Sequence, residues 1–192
     1  MSEPRNRYSQ ISLILHWLIA LLIIGQLCGG LYMVGIPDEQ ASLKFQIFQL
    51  HKSFGVTILF LSLVRVAWRL THKVPALPEN MAGWEKVAAR ATHIGFYILM
   101  FATPLLGWAY VSVAPFNVPT VLFGVIPWPH LPFFEGAENR EALAESLAGF
   151  HEFAAFSIIG LLVLHVGAAL KHHFFNRDDV LSRMLPLVRS RS

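Results

Sequence analysis

With 192 residues, 55% of them hydrophobic and only 14% charged, and a mean hydropathy of +0.52, the chain is too apolar for an ordinary soluble domain. Its single cysteine, Cys28, excludes an internal disulfide and a cysteine-based metal site. A net charge of +3 would suit nucleic acid only if the basic residues formed a patch; instead they follow a membrane bias, set out below.

Four apolar runs, at about 11–34, 47–70, 91–114 and 150–173, each approach the twenty or so residues that a spanning helix needs. The stretches between them are too short for a second domain. The fold class predicted is all-α: a transmembrane four-helix bundle forming one unit over 1–192.

A polar arm, 1–10, precedes the first helix. His16 lies about one and a half turns inside that helix, and Tyr8 and Trp17 suit the interface. Gly35-Ile36-Pro37-Asp38 is a stop signal. The run is too long for a signal-peptide core and Cys28-Gly29-Gly30 is a poor cleavage site, so the segment is expected to be retained. In the second helix His51 lies about one turn from the start. Arg65 and Arg69 stack on one face near its other end. They either snorkel to the interface or pair with anionic groups such as haem propionates.

Pro75, Pro78 and Asn80 mark a loop, and W-E-K-V-A-A-R reads as a helical lead-in to the third span. That span carries His93 near the inner face, Pro104 as an expected kink, and Gly107 and Trp108 near the outer end. Residues 115–149 form the longest connection. Its first part is apolar but holds Pro119, Pro127, Pro129 and Pro132, so it reads as a flap over the outer face. The acidic second part has helical spacing and extends the fourth helix outward. The fourth helix carries His151 and His165, fourteen residues apart. That is just under four turns, so both rings leave nearly one face, roughly 21 Å apart along the axis. A short basic tail through R-M-L-P follows.

Four spans place the N-terminus, the loop after the second helix and the C-terminus on one side. These regions hold twelve of the fifteen basic residues; the other side has only Lys44, Lys52 and Arg140 against seven carboxylates. Both termini are therefore expected to be cytoplasmic.

The histidines then sort by depth. His16 and His165 share the inner half, and His51 and His151 the outer half. Ionisable side chains inside a bilayer are rare and usually functional. No Asp, Glu or Cys converges with them to make a zinc or di-iron site, whereas paired imidazoles are ordinary axial ligands of haem iron. The absence of C-x-x-C-H excludes covalent c-type attachment, so two non-covalently held haems are the expected cofactors. The residue four after each histidine is small: Ala20, Gly55, Ala155 and Ala169. That position shares the helix face and leaves room for a flat macrocycle. His93 is followed at that position by Tyr97, so it is read as a non-ligand, either a haem-pocket hydrogen-bond donor or part of a quinone site. His72, His130, His172 and His173 are read as structural.

The chain resembles the prokaryotic cytochrome b561 family over nearly its whole length. The likeness rests on I-x-L-I-L-H-W-L, H-K-S-F-G, H-I-G-F-Y-I-L-M-x-x-x-P-L-L-G, F-H-E and L-H-x-x-A-A-L-K-H-H-F-F. It implies a di-haem cytochrome of the bacterial cytoplasmic membrane, its two haems of the b type, with His16, His51, His151 and His165 as the iron ligands. The run through R-M-L-P is especially similar to small stand-alone members that act as superoxide:ubiquinone oxidoreductases. Superoxide at the outer face and ubiquinone from the membrane pool are thus the implied donor and acceptor. Lys52, next to His51, is the best-placed cation to attract an anion to an otherwise acidic face. The alternative is an electron-conducting anchor subunit serving a separate dehydrogenase or hydrogenase, with a redox partner protein.

Overall fold

A computed structural model describes residues 7–185. Arg5, Arg189 and Arg191 of the basic bias, and Pro186 of the tail motif, lie outside the described residues.

Among the described residues five α-helices follow one another: α1 Gln10–Val34, α2 Ala41–Thr71, α3 Gly83–Val113, α4 Arg140–Lys171 and the short α5 Val180–Met184. The first four are long and apolar enough to cross a bilayer. α1 starts because the Ser9 hydroxyl accepts the N–H of Ser12, supplying one of the partners that a helix start lacks. The stop after Val34 leads through Pro37 into one 3-10 turn, Asp38–Gln40, and directly into α2. α3 takes in the W-E-K-V-A-A-R lead-in and runs through Pro104 without a break. At its start the Glu85 carboxylate accepts the N–H of Ala82 and also pairs with Lys171 at the end of α4. α4 includes most of the acidic stretch, then passes through a π-type turn, His172–Asn176.

The helices alternate in direction, and the closest packing is α3 on α4 and α1 on α2. Few large apolar side chains are buried. Leu21, Ile98, Val163 and Leu164 are 61–67% exposed, which is what a lipid-facing surface requires. Leu15, Ile19, Ile58, Met100, Ala154 and Ile158 are buried within the spans, and Ile36, Met81, Val113, Leu122 and Ala144 are buried nearer the ends of the bundle.

The flap departs from an all-helical chain. It holds a two-stranded antiparallel hairpin, β1 Thr120–Leu122 and β2 Ile126–Trp128, with Thr120 opposite Trp128. The three-residue loop 123–125 places Phe123 at φ 52° and Gly124 at φ 74°, both in the left-handed region that tight hairpin loops use. So short a ladder is not stable alone. It is fastened to the bundle by side chains from α2 and α3. Gln49 Oε1 accepts the N–H of Val121, Ser53 Oγ accepts that of Phe123, and Ser112 Oγ accepts that of Leu131. Trp108 Nε1 donates to the carbonyl of Pro129 at 2.9 Å.

The opposite end of the bundle is closed by α5 and the loop before α3. Trp17 Nε1 donates to the Met184 carbonyl, and Arg183 donates to the carbonyl of Ala76 while pairing with Asp179. Buried His172 meets Asp178 at 2.5 Å.

Candidate functional site

At the flap end, His51 on α2 faces His151 on α4 with ring centroids 6.1 Å apart. His151 Nδ1–H donates to the carbonyl of Thr103 at 2.8 Å. That bond fixes the tautomer, leaves Nε2 with a free lone pair, and sets the ring's direction. His51 Nδ1 is buried without a partner. Each ring lies against a glycine of a neighbouring helix. A Cβ on Gly107 would stand 3.0 Å from His151 Cε1, and one on Gly30 would stand 3.3 Å from His51 Cε1. Gln26 Nε2 donates to the His51 carbonyl and ties α1 to α2 at this level. A cavity of about 400 Å³ opens beside the pair, walled mainly by aliphatic side chains, with Gly55 and Ala155 among its lining.

At the other end, His16 on α1 faces His165 on α4 with centroids 6.2 Å apart. His93 packs against His165 at 5.7 Å, and Phe96 at 5.5 Å. The Arg65 guanidinium donates to His16 Nδ1 at 3.3 Å, while Arg69 lies over the ring of Tyr97. With Nδ1 accepting, the His16 proton sits on Nε2. For Nε2 to become a ligand, that proton must move to Nδ1 and Arg65 must turn away, leaving a guanidinium free for an anion.

Both pairs fit an iron held between two imidazoles. Two metal–nitrogen bonds of roughly 2.0–2.1 Å, plus the half-width of each ring, give a centroid separation of about 6 Å. The helix pairs that carry facing histidines, α1 with α4 and α2 with α4, do not approach closely, so there is room between them. Among the described residues no three His, Cys, Asp or Glu side chains converge. That suits two ligands above and below a macrocycle and not a cage of protein donors.

The profile of the family described as Prokaryotic cytochrome b561 matches residues 7–187. The chain belongs to the prokaryotic cytochrome b561 family. Membership makes it a multi-pass membrane electron-transfer protein and implies haem b. Cytochrome b561 homolog 2 of Escherichia coli (strain K12) is 34% identical over 180 residues, covering 94% of this chain and 92% of that protein. The probable superoxide oxidase CybB of Yersinia pestis is 28% identical over 184 residues, covering 96% and 98%. Cytochrome b561 homolog 1 of Escherichia coli (strain K12) is also 28% identical, over 181 residues, covering 94% and 98%.

In this cytochrome b561 the three cations at the flap end, Lys44, Lys52 and Arg140, are placed differently. Lys44 pairs with exposed Asp38 at 2.9 Å. Arg140 donates to the carbonyls of Val113 and Ser112, at the negative end of the α3 dipole. Lys52 lines the cavity beside His51 and His151 and donates to the Pro119 carbonyl at 3.2 Å. Of the remaining histidines, His72 stacks on Trp68, His172 holds Asp178, His173 touches Phe174, and His130 lines a separate pocket at the flap end with Arg140 and Glu135. Four contributors to the site do not stand out from the sequence: Gly30, Gly107, the Thr103 carbonyl and Gln26. Gly107 lies three residues after Pro104 near the end of α3, and its contact with His151 is made across helices.

Proposed function

We propose that this cytochrome b561 carries electrons from superoxide at its outer face, through two b-type haems, to ubiquinone. The observation that carries the reading is the pair of facing histidine sets at opposite ends of α4, with rings 6.1 and 6.2 Å apart. An end-to-end relative named as a probable superoxide oxidase supports the choice of donor. The whole chain acts as one membrane unit, with both termini cytoplasmic, in the bacterial inner membrane.

His51 and His151 hold the outer haem, and His16 and His165 the inner one. Haem b supplies reversible one-electron chemistry at iron. The chain's own residues orient, screen and steer. Thr103 holds the His151 ring in its ligating tautomer. Arg65, once released from His16, and Arg69 balance the propionates of the inner haem. His93, beside His165 and unsuited to ligation, donates a hydrogen bond or a proton at the quinone site. Lys52 sets a local positive field on a face that is otherwise acidic. The overall reaction balances: two superoxide anions each lose one electron and leave as O₂, and one quinone takes two electrons and two protons.

The acidic outer face also favours a second reading, an electron-conducting anchor that docks a basic dehydrogenase or hydrogenase partner. Rapid mixing separates the two. Superoxide should reduce the haems of the isolated protein quickly, more slowly at high salt, and added quinone should reoxidise them. Lys52→Glu should slow the first step and leave the second unchanged. Slow reduction at every salt concentration, with a soluble dehydrogenase copurifying, would support the anchor instead.

A further inference from the structure

The buried polar atoms that lack a partner are unevenly placed. Among the described residues, His51 Nδ1, Thr103 Oγ1, Thr120 Oγ1 and Trp128 Nε1 all belong to residues lining the cavity of the outer pair. Gln49, Ser53 and Ser112, which fasten the flap, all hold flap backbone groups, and the other buried unpartnered atoms among the described residues, Ser62 Oγ, His130 Nε2 and Arg183 Nε, lie away from this cavity. Gln26, Lys52, Trp108 and His151, which also line the cavity, have partners, so the buried atoms there that remain unmet are these four. Leaving a buried donor unmet costs on the order of 1–3 kcal/mol, so a concentration of them at one cavity points to a ligand that meets them.

Two of the four come from the flap. Thr120 and Trp128 stand directly opposite each other in the hairpin register, so a hydroxyl and an indole N–H are presented side by side. Thr120 is only 4% exposed. Trp128 is held by ring contacts with Trp108 at 5.2 Å and Phe60 at 6.0 Å, which fix the indole without using its N–H. An indole N–H can only donate, so its partner must be an acceptor. The Lys52 ammonium lines the same cavity and touches Pro119, the residue before Thr120. Two donors and a cation at one edge of an apolar chamber match an amphiphilic ligand with a flat apolar body and a carboxylate edge.

We propose that Thr120 and Trp128 form the hydrogen-bonding seat for the carboxylate edge of the outer haem, so that the flap is part of the haem site as well as its cover. This rests on the two-haem reading above. The test uses the purified holoprotein and two near-isosteric variants, Trp128→Phe, which removes the N–H, and Thr120→Val, which removes the hydroxyl. His151→Ala first labels the outer haem as the one it removes. In a redox titration each flap variant should shift the outer midpoint downward, because a carboxylate without donors stabilises ferric iron, and leave the inner midpoint in place. Redox-difference infrared spectra should show a shifted haem carboxylate band in both. If Trp128→Phe empties the outer site, Thr120→Val decides. An unchanged outer midpoint and unchanged carboxylate bands in haem-replete variants overturn the seat while leaving the two-haem reading intact. The seat is equally overturned if the variants slow only quinone reduction, since the donors then serve a quinone carbonyl. A wild-type protein without an outer haem overturns the underlying reading itself.

Discussion

Gly107 and Gly30 show how much one hydrogen atom in place of a methyl can decide. Alanine favours a helix interior over glycine by about 1 kcal/mol, so on propensity alone a Gly→Ala change in a helix should stabilise the protein. At these two positions the added Cβ would meet His151 at 3.0 Å and His51 at 3.3 Å, closer than ordinary van der Waals contact. We expect Gly107→Ala to cut outer-haem occupancy several-fold and Gly30→Ala to do so more weakly, with the inner haem retained, read by absorbance and potentiometric titration. Gly29, with nothing within 4 Å of its would-be Cβ, is the control: Gly29→Ala should keep both haems. A like effect at all three positions would point to helix packing in general and not to the rings. At the other end, Arg65→Met should keep the inner haem and lower its midpoint by roughly 60 mV, a tenfold change in a one-electron constant, because a nearby cation favours the reduced form. His93→Ala should keep both haems and slow quinone reduction. Loss of a haem in that variant would show that His93 is a ligand after all.

At the scale of elements, the flap is where local sequence says least. The four spans are legible because hydropathy and length are local properties, and the small residues after each histidine follow from helical spacing alone. α3 and α4 begin at Gly83 and Arg140, ahead of their apolar cores, because hydropathy marks the bilayer and hydrogen bonding carries the helix into the aqueous interface. The hairpin has strands of three residues, and Pro127 sits in one of them, so propensity argues against it. It exists because Gln49 and Ser53, some seventy residues earlier, accept the N–H groups of Val121 and Phe123. The contacts of Gly30 and Gly107 with the rings are likewise between helices, and the Thr103 carbonyl is a backbone group that no residue type announces. The flap account is tested by Ser53→Ala, which leaves the Phe123 N–H without an acceptor. The cost should be about 1–3 kcal/mol, so amide exchange at Phe123 should accelerate by roughly tenfold or more while the centre of α4 stays protected. Unchanged exchange would mean that the hairpin holds itself.

For the whole molecule, α4 is the axis of the account. It carries one histidine of each pair, fourteen residues apart, and so spaces the two sites by roughly 21 Å across a hydrocarbon core of about 30 Å. His16 and His51 could be placed by depth from the sequence, and the structure brings each within ring contact of its counterpart on α4. What sequence reasoning could not supply was the set of groups that aim those rings. The measurement closest to the central claim is haem stoichiometry in the purified protein and in His151→Ala and His165→Ala, by pyridine haemochrome and redox titration. The account predicts two haems per chain with two midpoints, and one surviving haem in each variant, a different one in each. A single haem in the folded wild-type protein, or loss of both haems from either variant while the fold persists, would contradict it.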